Sequence, residues 1–214
     1  LVESGVEAPA DVTQLRGCWK NDVDVIEIAL APHTTPPRPR SFVTGAACGV
    51  CSADQLTLGA VGPRSAQVLD VDVARDLPDT LREQQRAFER TGGLHAAGLA
   101  TYDGRIDVVR EDVGRHNAVD AIAGLMWLEG MRGEDKVFYT TGRLTSEMVI
   151  KGAQMGIPFL LSRSGTTQMG HMVAEKVGMS LLARCTGRHF LLLAGQERLV
   201  FEPGLLEQPL PIRS

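Results

Sequence analysis

Apolar and polar residues alternate along residues 23–30, and this period of two predicts a β-strand. Three later apolar runs, at 106–110, 137–140 and 157–162, also have the length and composition of strands. Each of the three leads into a short loop and then into a segment with helical apolar spacing. Because strands that alternate with helices favour a parallel sheet, we predict an α/β protein with a largely parallel sheet and helices on both faces.

The helices are predicted from apolar spacing and from their stop signals. The three that follow these strands should end at Gly130, near Gln154 and near Val177. An earlier helix is predicted over 78–90, because Pro78 suits a first helical turn and two glycines follow the segment.

The N-terminal part has a different character. Residues 33–40 are rich in proline and cannot form a helix interior or a central strand. A short strand at 41–44 then leads into a loop with a Cys-x-x-Cys motif. We therefore predict a smaller β-rich part at 1–75, which carries this loop at its end, and an α/β domain at 76–214.

Composition excludes several classes of protein. A net charge of −4 and an aromatic content of 5% argue against a nucleic-acid surface. No apolar run reaches the roughly 18–20 residues that span a membrane, and no signal peptide opens the chain. The irregular spacing of the four cysteines does not fit a secreted disulfide framework, which favours a cytoplasmic protein. They are Cys18, Cys48, Cys51 and Cys185.

Cys48 and Cys51 form the Cys-x-x-Cys motif, and small residues surround them in the sequence. Two thiols at this spacing can pass sulfur or electrons to each other, or provide half of a metal site. A structural disulfide is the simpler alternative, although it would close a very small loop and add little stability.

Three predicted strand-to-helix loops each carry a glycine and an arginine. In a parallel sheet such loops lie at one edge, where glycine allows close approach of a ligand and arginine binds phosphate oxygens. The pairs are Gly114 with Arg115, Gly142 with Arg143, and Gly165 with Arg163. They predict a ligand with several anionic groups. The alternative is that these arginines are solvated or pair with Glu111 and Asp112.

Two histidines and one lysine are further candidates. His95 precedes a strand at 99–102 within a run of small residues, so it either binds a ligand or is a satisfied structural histidine. His116 follows Arg115 in a loop with acidic residues, where proton transfer or ligand binding is plausible. Lys151 fits a surface cation better than a catalytic amine.

Five motifs occur in order along the chain: CGVC at 48–51, TGGLHAAGL at 91–99, REDVGRHNAVD at 110–120, TGRLTSEMVIKG at 141–152 and GIPFLLSRS at 156–164. Together they resemble the formate dehydrogenase accessory sulfurtransferase family, the FdhD-like sulfur carrier proteins. The likeness extends over nearly the whole chain. The resemblance implies a three-layer α/β/α domain with the cytidine deaminase-like fold, and it implies that the chain is truncated at its N-terminus.

The resemblance also implies a function. Members of the family accept sulfur from a cysteine desulfurase as a persulfide and pass it to the molybdenum or tungsten bis-guanine-dinucleotide cofactor of formate dehydrogenase. A cytoplasmic homodimer is expected, with GDP as a surrogate ligand. No permanently bound metal, nucleic acid or membrane is expected.

The site residues follow by resemblance. Cys48 matches the cysteine that carries the persulfide, and Cys51 is its neighbour. The family's C-terminal cofactor contact falls on Arg184, Cys185, Thr186, Gly187, Arg188 and His189. The loops that would hold phosphates and guanine contribute Gly114, Arg115, His116, Gly142, Arg143, Arg163, Ser164 and His95.

Two other functions are compatible with parts of this pattern. A zinc-dependent, deaminase-like hydrolase would use Cys48, Cys51 and either His95 or His116 as ligands. Such enzymes pair His-x-Glu with Pro-Cys-x-x-Cys, whereas two alanines follow His95 and no proline precedes Cys48. The third possibility is a carrier that binds a guanine nucleotide or molybdenum cofactor without chemistry.

Overall fold

The fold is described from a computed structural model, which defines residues 6, 8–20, 23–36, 68–187 and 189–201. The packing of the chain divides it into two units. The smaller falls within residues 1–53 together with 127–129, and the larger within 54–126 and 130–214. The predicted strand at 41–44 lies outside the described residues.

In the smaller unit, β1 (Val12–Lys20) and β2 (Val23–Leu30) form an antiparallel pair. Leu15 lies opposite Ile28 in this register. The strand expected at 23–30 is therefore confirmed.

The larger unit contains the remaining strands and the α-helices of the described residues, except for the last three residues of α3, which are grouped with the smaller unit. The strands are β3 (Leu69–Asp70), β4 (His95–Thr101), β5 (Ile106–Asp112), β6 (Lys136–Thr140), β7 (Phe159–Ser162), β8 (Ser180–Thr186), β9 (His189–Ala194) and β10 (Leu199–Val200). The helices are α1 (Val71–Arg82), α2 (Arg86–Thr91), α3 (Arg115–Glu129), α4 (Ser146–Gln154) and α5 (Gln168–Val177). None of the helices in these described segments is long and apolar enough to cross a membrane.

Three helix predictions are confirmed and one is wrong. The helices α3, α4 and α5 end at the predicted positions. The helix expected at 78–90 is two helices, and α1 begins at Val71 with Pro78 in its interior. It begins there because the carboxylate of Asp70 accepts a hydrogen bond from the N–H of Asp72 and caps the helix. α1 also extends across the boundary predicted at residues 75/76.

The central sheet has six strands in the order β5-β4-β6-β7-β8-β9. Only β6, β7 and β8 pair in parallel, whereas β4 is antiparallel to both β5 and β6, and β9 is antiparallel to β8. The prediction of a largely parallel sheet is therefore wrong, and the sheet is mixed. The reason is that a tight turn, with Gly104 at φ +83° and the N–H of Thr101 bonded to Arg105 O, joins β4 directly to β5.

Both faces of this sheet are covered, which gives three layers. Phe138 and Leu160 face the core formed with α3, α4 and α5, whereas Tyr139 packs in a second core with α1. Helix α1 packs closely on the sheet at Gly98. A Cβ added at this glycine would lie only 1.9 Å from the Leu81 side chain. The chain is thus α/β with helices on both faces of the sheet.

The strand directions bring many chain segments to one edge of the sheet. β5, β6, β7 and β8 all run the same way and end at this edge, and the antiparallel β4 begins there. We call it the loop edge. It comprises the segments after β5, β6 and β7, the start of β4 and the turn between β8 and β9.

Candidate functional site

A cleft of about 590 Å³ opens at the loop edge. One side is lined by the segment that leads into β4, and the other by the segments after β6 and β7 and the end of β8. The lining residues are Gln85, Phe88, Leu94, His95, Thr141, Arg143, Arg163, Ser164, Gly165, Thr166, Thr167, Arg184 and Thr186.

Hydrogen bonds between neighbouring loops fix the floor of the cleft. The Thr141 hydroxyl oxygen accepts a hydrogen bond from the N–H of Ala96 at 2.9 Å, and the Ser164 hydroxyl donates to Thr141 O at 2.9 Å. The hydroxyl of Ser162 donates to Gly142 O at 2.6 Å. These bonds join the start of β4 to the ends of β6 and β7, so the site is built on the rigid sheet.

The cleft contains three cationic side chains without carboxylate partners among the described residues. Arg143, Arg163 and Arg184 are exposed and line the cleft, and none forms an ion pair within those segments. Each unpaired guanidinium keeps its hydrogen-bond donors available to an anionic ligand.

The acidic residues nearby have other partners. Glu111 accepts hydrogen bonds from the N–H groups of Ala87 and Phe88, at 2.9 and 2.8 Å, and caps the N-terminus of α2. Asp112 accepts a hydrogen bond from Gly114 N–H at 2.7 Å. The proposed pairing of the loop arginines with these two carboxylates is therefore not found.

Arg184 has an unusual backbone conformation. Its φ of +55° is the only positive value at a non-glycine residue in the described part of the chain. This region costs a residue with a side chain about 1–2 kcal/mol. The Arg184 guanidinium lies beside Gly165, where a Cβ would be 3.6 Å from Nε. Strain of this kind is typical of residues that a functional site holds in place.

His95 is half-buried and borders the cleft, and its Nδ1 lies 3.4 Å from the hydroxyl oxygen of Thr141. Burial, together with the positive charge of Arg115, lowers the pKa of His95 below its usual value. The imidazole is consequently neutral near pH 7. It can contribute a hydrogen bond to a ligand in the cleft.

Arg115 and His116 begin α3 behind the lining of the cleft. The Arg115 side chain packs on Gly142, where an added Cβ would lie 2.8 Å from the Arg115 Cβ. His116 Nε2 lies 3.5 Å from an oxygen of Glu147 in α4. Burial, opposed by Glu147 and assisted by Arg115, lowers the pKa of His116.

A profile of the FdhD/NarQ family matches residues 1–200. The chain belongs to the FdhD/NarQ family. It is 36% identical to a sulfur carrier protein FdhD of Nocardia farcinica, over 93% of this chain and 75% of the relative. It is 35% identical to the Corynebacterium efficiens protein of the same name, over 92% of this chain and 77% of the relative.

A solved structure agrees with this assignment. The crystal structure of a candidate formate dehydrogenase accessory protein from Desulfotalea psychrophila superposes with a TM-score of 0.60 at 33% identity. The match covers 65% of this chain and 60% of that chain. The matched 65% of this chain thus shares its fold with an experimentally determined protein.

The structure brings together only some of the residues expected in the site of this FdhD/NarQ protein. His95, Arg143, Arg163 and Ser164 line the cleft with two residues of the expected C-terminal contact, Arg184 and Thr186. Gly114, Arg115, His116 and Gly142 lie at the loop edge but outside the lining. Cys48, Cys51 and Arg188 fall outside the described residues.

Cys185 is the clearest difference from the expected site. It is 1% exposed and packs in the core with Tyr139, and burial raises the pKa of its thiol to about 12. It faces away from the cleft because a bulge at Arg184 interrupts the alternation of β8. Gly187 is exposed in the turn between β8 and β9, and His189 is exposed at the start of β9. Lys151 is not a solvated cation, since its ammonium group lies 2.7 Å from Asp120 and its side chain is 13% exposed.

Several residues in or near the cleft were not predicted from the sequence, among them Gln85, Phe88 and Glu147. Gln85 and Phe88 line the cleft because the break between α1 and α2 turns the chain back to the loop edge. Glu147 contacts His116. Each of these residues lies in one of the five ordered motifs, and this is the only sequence signal that links them. Within the part of the chain that the structure describes, no group of three or more His, Cys, Asp or Glu side chains could hold a metal ion.

Proposed function

We propose that this chain is a sulfur carrier in formate dehydrogenase maturation, which takes sulfur from a cysteine desulfurase and delivers it to a molybdenum bis-guanine-dinucleotide cofactor. In this scheme the cofactor is a substrate, which accepts the sulfur. The names of the relatives support the sulfur carrier role and, with the Desulfotalea protein, the link to formate dehydrogenase.

The observation that carries the proposal is the set of unpaired arginines around the cleft. The protein is acidic overall, with a net charge of −4, yet Arg143, Arg163 and Arg184 converge without carboxylates among the described residues. Like charges that line one cleft repel each other, and an anionic ligand would reduce this repulsion further than water does. A dinucleotide cofactor carries several phosphates, and a cleft of about 590 Å³ lies in the usual size range of ligand pockets.

The chemistry assigned to the cysteines is thiol–persulfide exchange. The thiolate of Cys48 attacks the terminal sulfur of the desulfurase persulfide, and the desulfurase cysteine leaves as a thiolate. Cys51 thiolate then attacks the inner sulfur of the Cys48 persulfide. A Cys48–Cys51 disulfide forms, and the terminal sulfur leaves with the bond electrons as hydrosulfide, which the metal accepts. A cellular thiol then reduces the disulfide and restores both thiols.

The persulfide step is tested by intact mass spectrometry after incubation with a cysteine desulfurase and cysteine. A gain of about 32 Da that a thiol reductant removes is expected for the wild-type chain and absent from Cys48→Ser. Cys18→Ser is the matched control and should load normally. Loading of Cys48→Ser but not of Cys51→Ser would reverse the assigned order. One equivalent of zinc per purified chain would favour the hydrolase alternative instead.

The cleft is tested with GDP as the surrogate ligand. Because a ligand that binds only the folded state stabilises it by mass action, GDP should raise the Tm in a dose-dependent manner. Cys48→Ser should bind GDP as wild type does, since the proposal separates sulfur transfer from nucleotide binding. An unchanged Tm at saturating GDP would remove the nucleotide part of the proposal. The proposed cytoplasmic homodimer is tested by mass measurement in solution.

A further inference from the structure

Buried polar atoms without hydrogen-bond partners are concentrated at the loop edge. Seven such side-chain atoms occur among the described residues, and five of them belong to the first turns of α3 and α4 or to the residue before α4. The five are Arg115 Nε, His116 Nδ1, His116 Nε2, Thr145 Oγ1 and Glu147 Oε2. An unsatisfied buried polar group costs about 1–3 kcal/mol, so a cluster of five calls for a functional explanation.

The centre of this cluster is the pair of His116 and Glu147. The His116 Nε2 and Glu147 Oε2 atoms lie 3.5 Å apart, and the two side chains are 18% and 17% exposed. This separation exceeds a normal hydrogen bond between these atoms. The two groups therefore face each other across a short gap, with neither the imidazole nor that carboxylate oxygen satisfied.

Protonation of His116 would strengthen this pair, because it turns the contact with the Glu147 carboxylate into an ion pair. A neutral imidazole has one donor and one acceptor, whereas an imidazolium donates from both nitrogens. A proton on Nε2 would give Glu147 a charge-assisted hydrogen bond, which is shorter and stronger than a neutral one. The geometry is thus suited to a histidine that gains a proton when its surroundings become less positive.

The surroundings of His116 are set by charges from two helices. From α3 it faces Arg115 and Asp120, and from α4 it faces Glu147 and Lys151. Burial and the two cations disfavour the imidazolium, and the two carboxylates favour it. The positive charge of Arg115 also lowers the pKa of His95, which lines the cleft. An anion in the cleft would offset this positive charge and shift the balance at His116.

We propose that Glu147 is a positioning residue of the cleft, which orients His116 at the start of α3 so that the pair takes up a proton when a polyanion occupies the site. This inference rests on the anion-binding cleft of the proposed function. Fixing the first turn of α3 also fixes Arg115, which packs on the loop that carries Arg143. By reciprocity, protonation strengthens anion binding by the same factor by which the anion favours protonation.

The experiment uses the full chain and inorganic pyrophosphate as the probe. Calorimetric titration at pH 6.5 in two buffers of different ionisation enthalpy gives the number of protons taken up on binding. His95→Asn serves as the background, because His95 also titrates beside the cleft. In this background we expect net proton uptake and an affinity that rises as the pH falls, by up to about tenfold per pH unit for one full proton.

Two substitutions in this background separate proton coupling from structural support. His116→Asn should remove the share of the uptake that His116 contributes and weaken the pH dependence, leaving only the part that comes from protonation of pyrophosphate itself. Glu147→Gln keeps the shape of the side chain but removes the charge that favours the imidazolium, so uptake at pH 6.5 should fall. Glu175→Gln is the matched control, since Glu175 lies 3.6 Å from His171 in α5, away from the cleft lining. It should leave both uptake and pH profile unchanged.

Histidine NMR provides a readout that does not depend on the variants folding equally well. The His116 resonance of the wild-type chain, assigned by its loss in His116→Asn, should titrate at higher pH with saturating pyrophosphate than without. An equal titration midpoint in both conditions, or no pyrophosphate binding, would overturn the inference. So would identical pH profiles for the His95→Asn background and its Glu147→Gln derivative. The sulfur-loading mass of Cys48 is independent of these outcomes, so failure there would affect the proposed function alone.

Discussion

The two edges of the central sheet differ in whether their cationic side chains have carboxylate partners. At the edge where β5 and β6 begin, Lys136 Nζ lies 3.0 Å from Asp107 and 3.2 Å from Asp135. Arg105 adds a second ion pair to Asp107 at 2.9 Å. At the loop edge, by contrast, Arg143, Arg163 and Arg184 have no carboxylate partner among the described residues.

This difference indicates which edge is organised for stability and which for binding. Paired charges at the first edge bind one another within the fold, whereas the exposed arginines at the loop edge keep their hydrogen-bond donors for water or for an anionic ligand. The loop edge also holds the strained backbone of Arg184 and most of the unpartnered buried side-chain atoms found in the described segments. Because both edges belong to the same sheet, they can be compared by matched substitutions within one protein.

The largest expected effect is on anion binding. Arg143→Ala and Arg163→Ala should each weaken GDP or pyrophosphate binding by about 1.5–3 kcal/mol, the usual scale of a charge-assisted hydrogen bond. The control is Arg105→Ala at the opposite edge, which should leave the dissociation constant unchanged. Titration calorimetry measures all three variants. Equal affinity for wild type and an Arg143/Arg163 double-alanine variant would remove the distinction between the edges.

A smaller effect, on stability, is expected at the opposite edge. Lys136→Met should lower the free energy of unfolding by about 1–3 kcal/mol, because it leaves the buried Asp107 with one fewer partner. Burial opposes the charge of Lys136, but hydrogen bonds to Asp107 and Asp135 outweigh it and raise the lysine pKa. The contribution should therefore be complete below the ordinary value of 10.5 and be lost as the pH rises through the raised pKa.

Urea denaturation at pH 8 and at pH 11 checks this prediction. Glu134→Gln is the control, because its ion pair with Arg132 is exposed and should contribute nothing measurable. If Lys136→Met and Glu134→Gln destabilise equally, the buried ion pairs have no special role.

The smallest effect is the response of the loop edge to acid. The pKa values of His95 and His116 are both lowered from the ordinary value of 6.5, so the unfolded chain gains protons first as the pH falls. The stability contributed by the two neutral imidazoles is complete above that value and is lost as the pH falls through the lowered folded pKa values. The Tm should decrease from pH 7.5 to pH 5.5, and pyrophosphate should reduce the decrease. A His95→Asn/His116→Asn variant with an unchanged pH profile would contradict this assignment.

Much of the larger unit follows from its sequence because its helices place apolar residues at helical spacing and end at recognisable stop signals. Val119, Ile122 and Met126 are all buried on α3. The antiparallel direction of β4 depends on the short gap that separates it from β5 in the sequence. Asp103-Gly104 in that gap is a typical hairpin turn and would have predicted the antiparallel pair.

The candidate site was only partly predictable, for a physical reason. Arg143 and Arg163 could be predicted because each follows a strand in a glycine-containing loop. Whether an arginine is paired depends on where the nearby carboxylates point, and Glu111 points to the N-terminus of α2. His116 and Glu147 are 31 positions apart and lie on two different helices, and local sequence patterns do not report such contacts.

The reversed direction of β4 has a consequence for how this family can diversify. Because the chain enters β4 at the loop edge, one wall of the cleft comes from residues 83–94, which connect α1 to the sheet. Gln85 and Phe88 belong to this wall, whereas the arginines belong to the other. Substitutions or length changes in the connection would reshape the cleft without shifting the register of a single strand. Selection for ligand shape and selection for ligand charge can then proceed on separate segments of the chain.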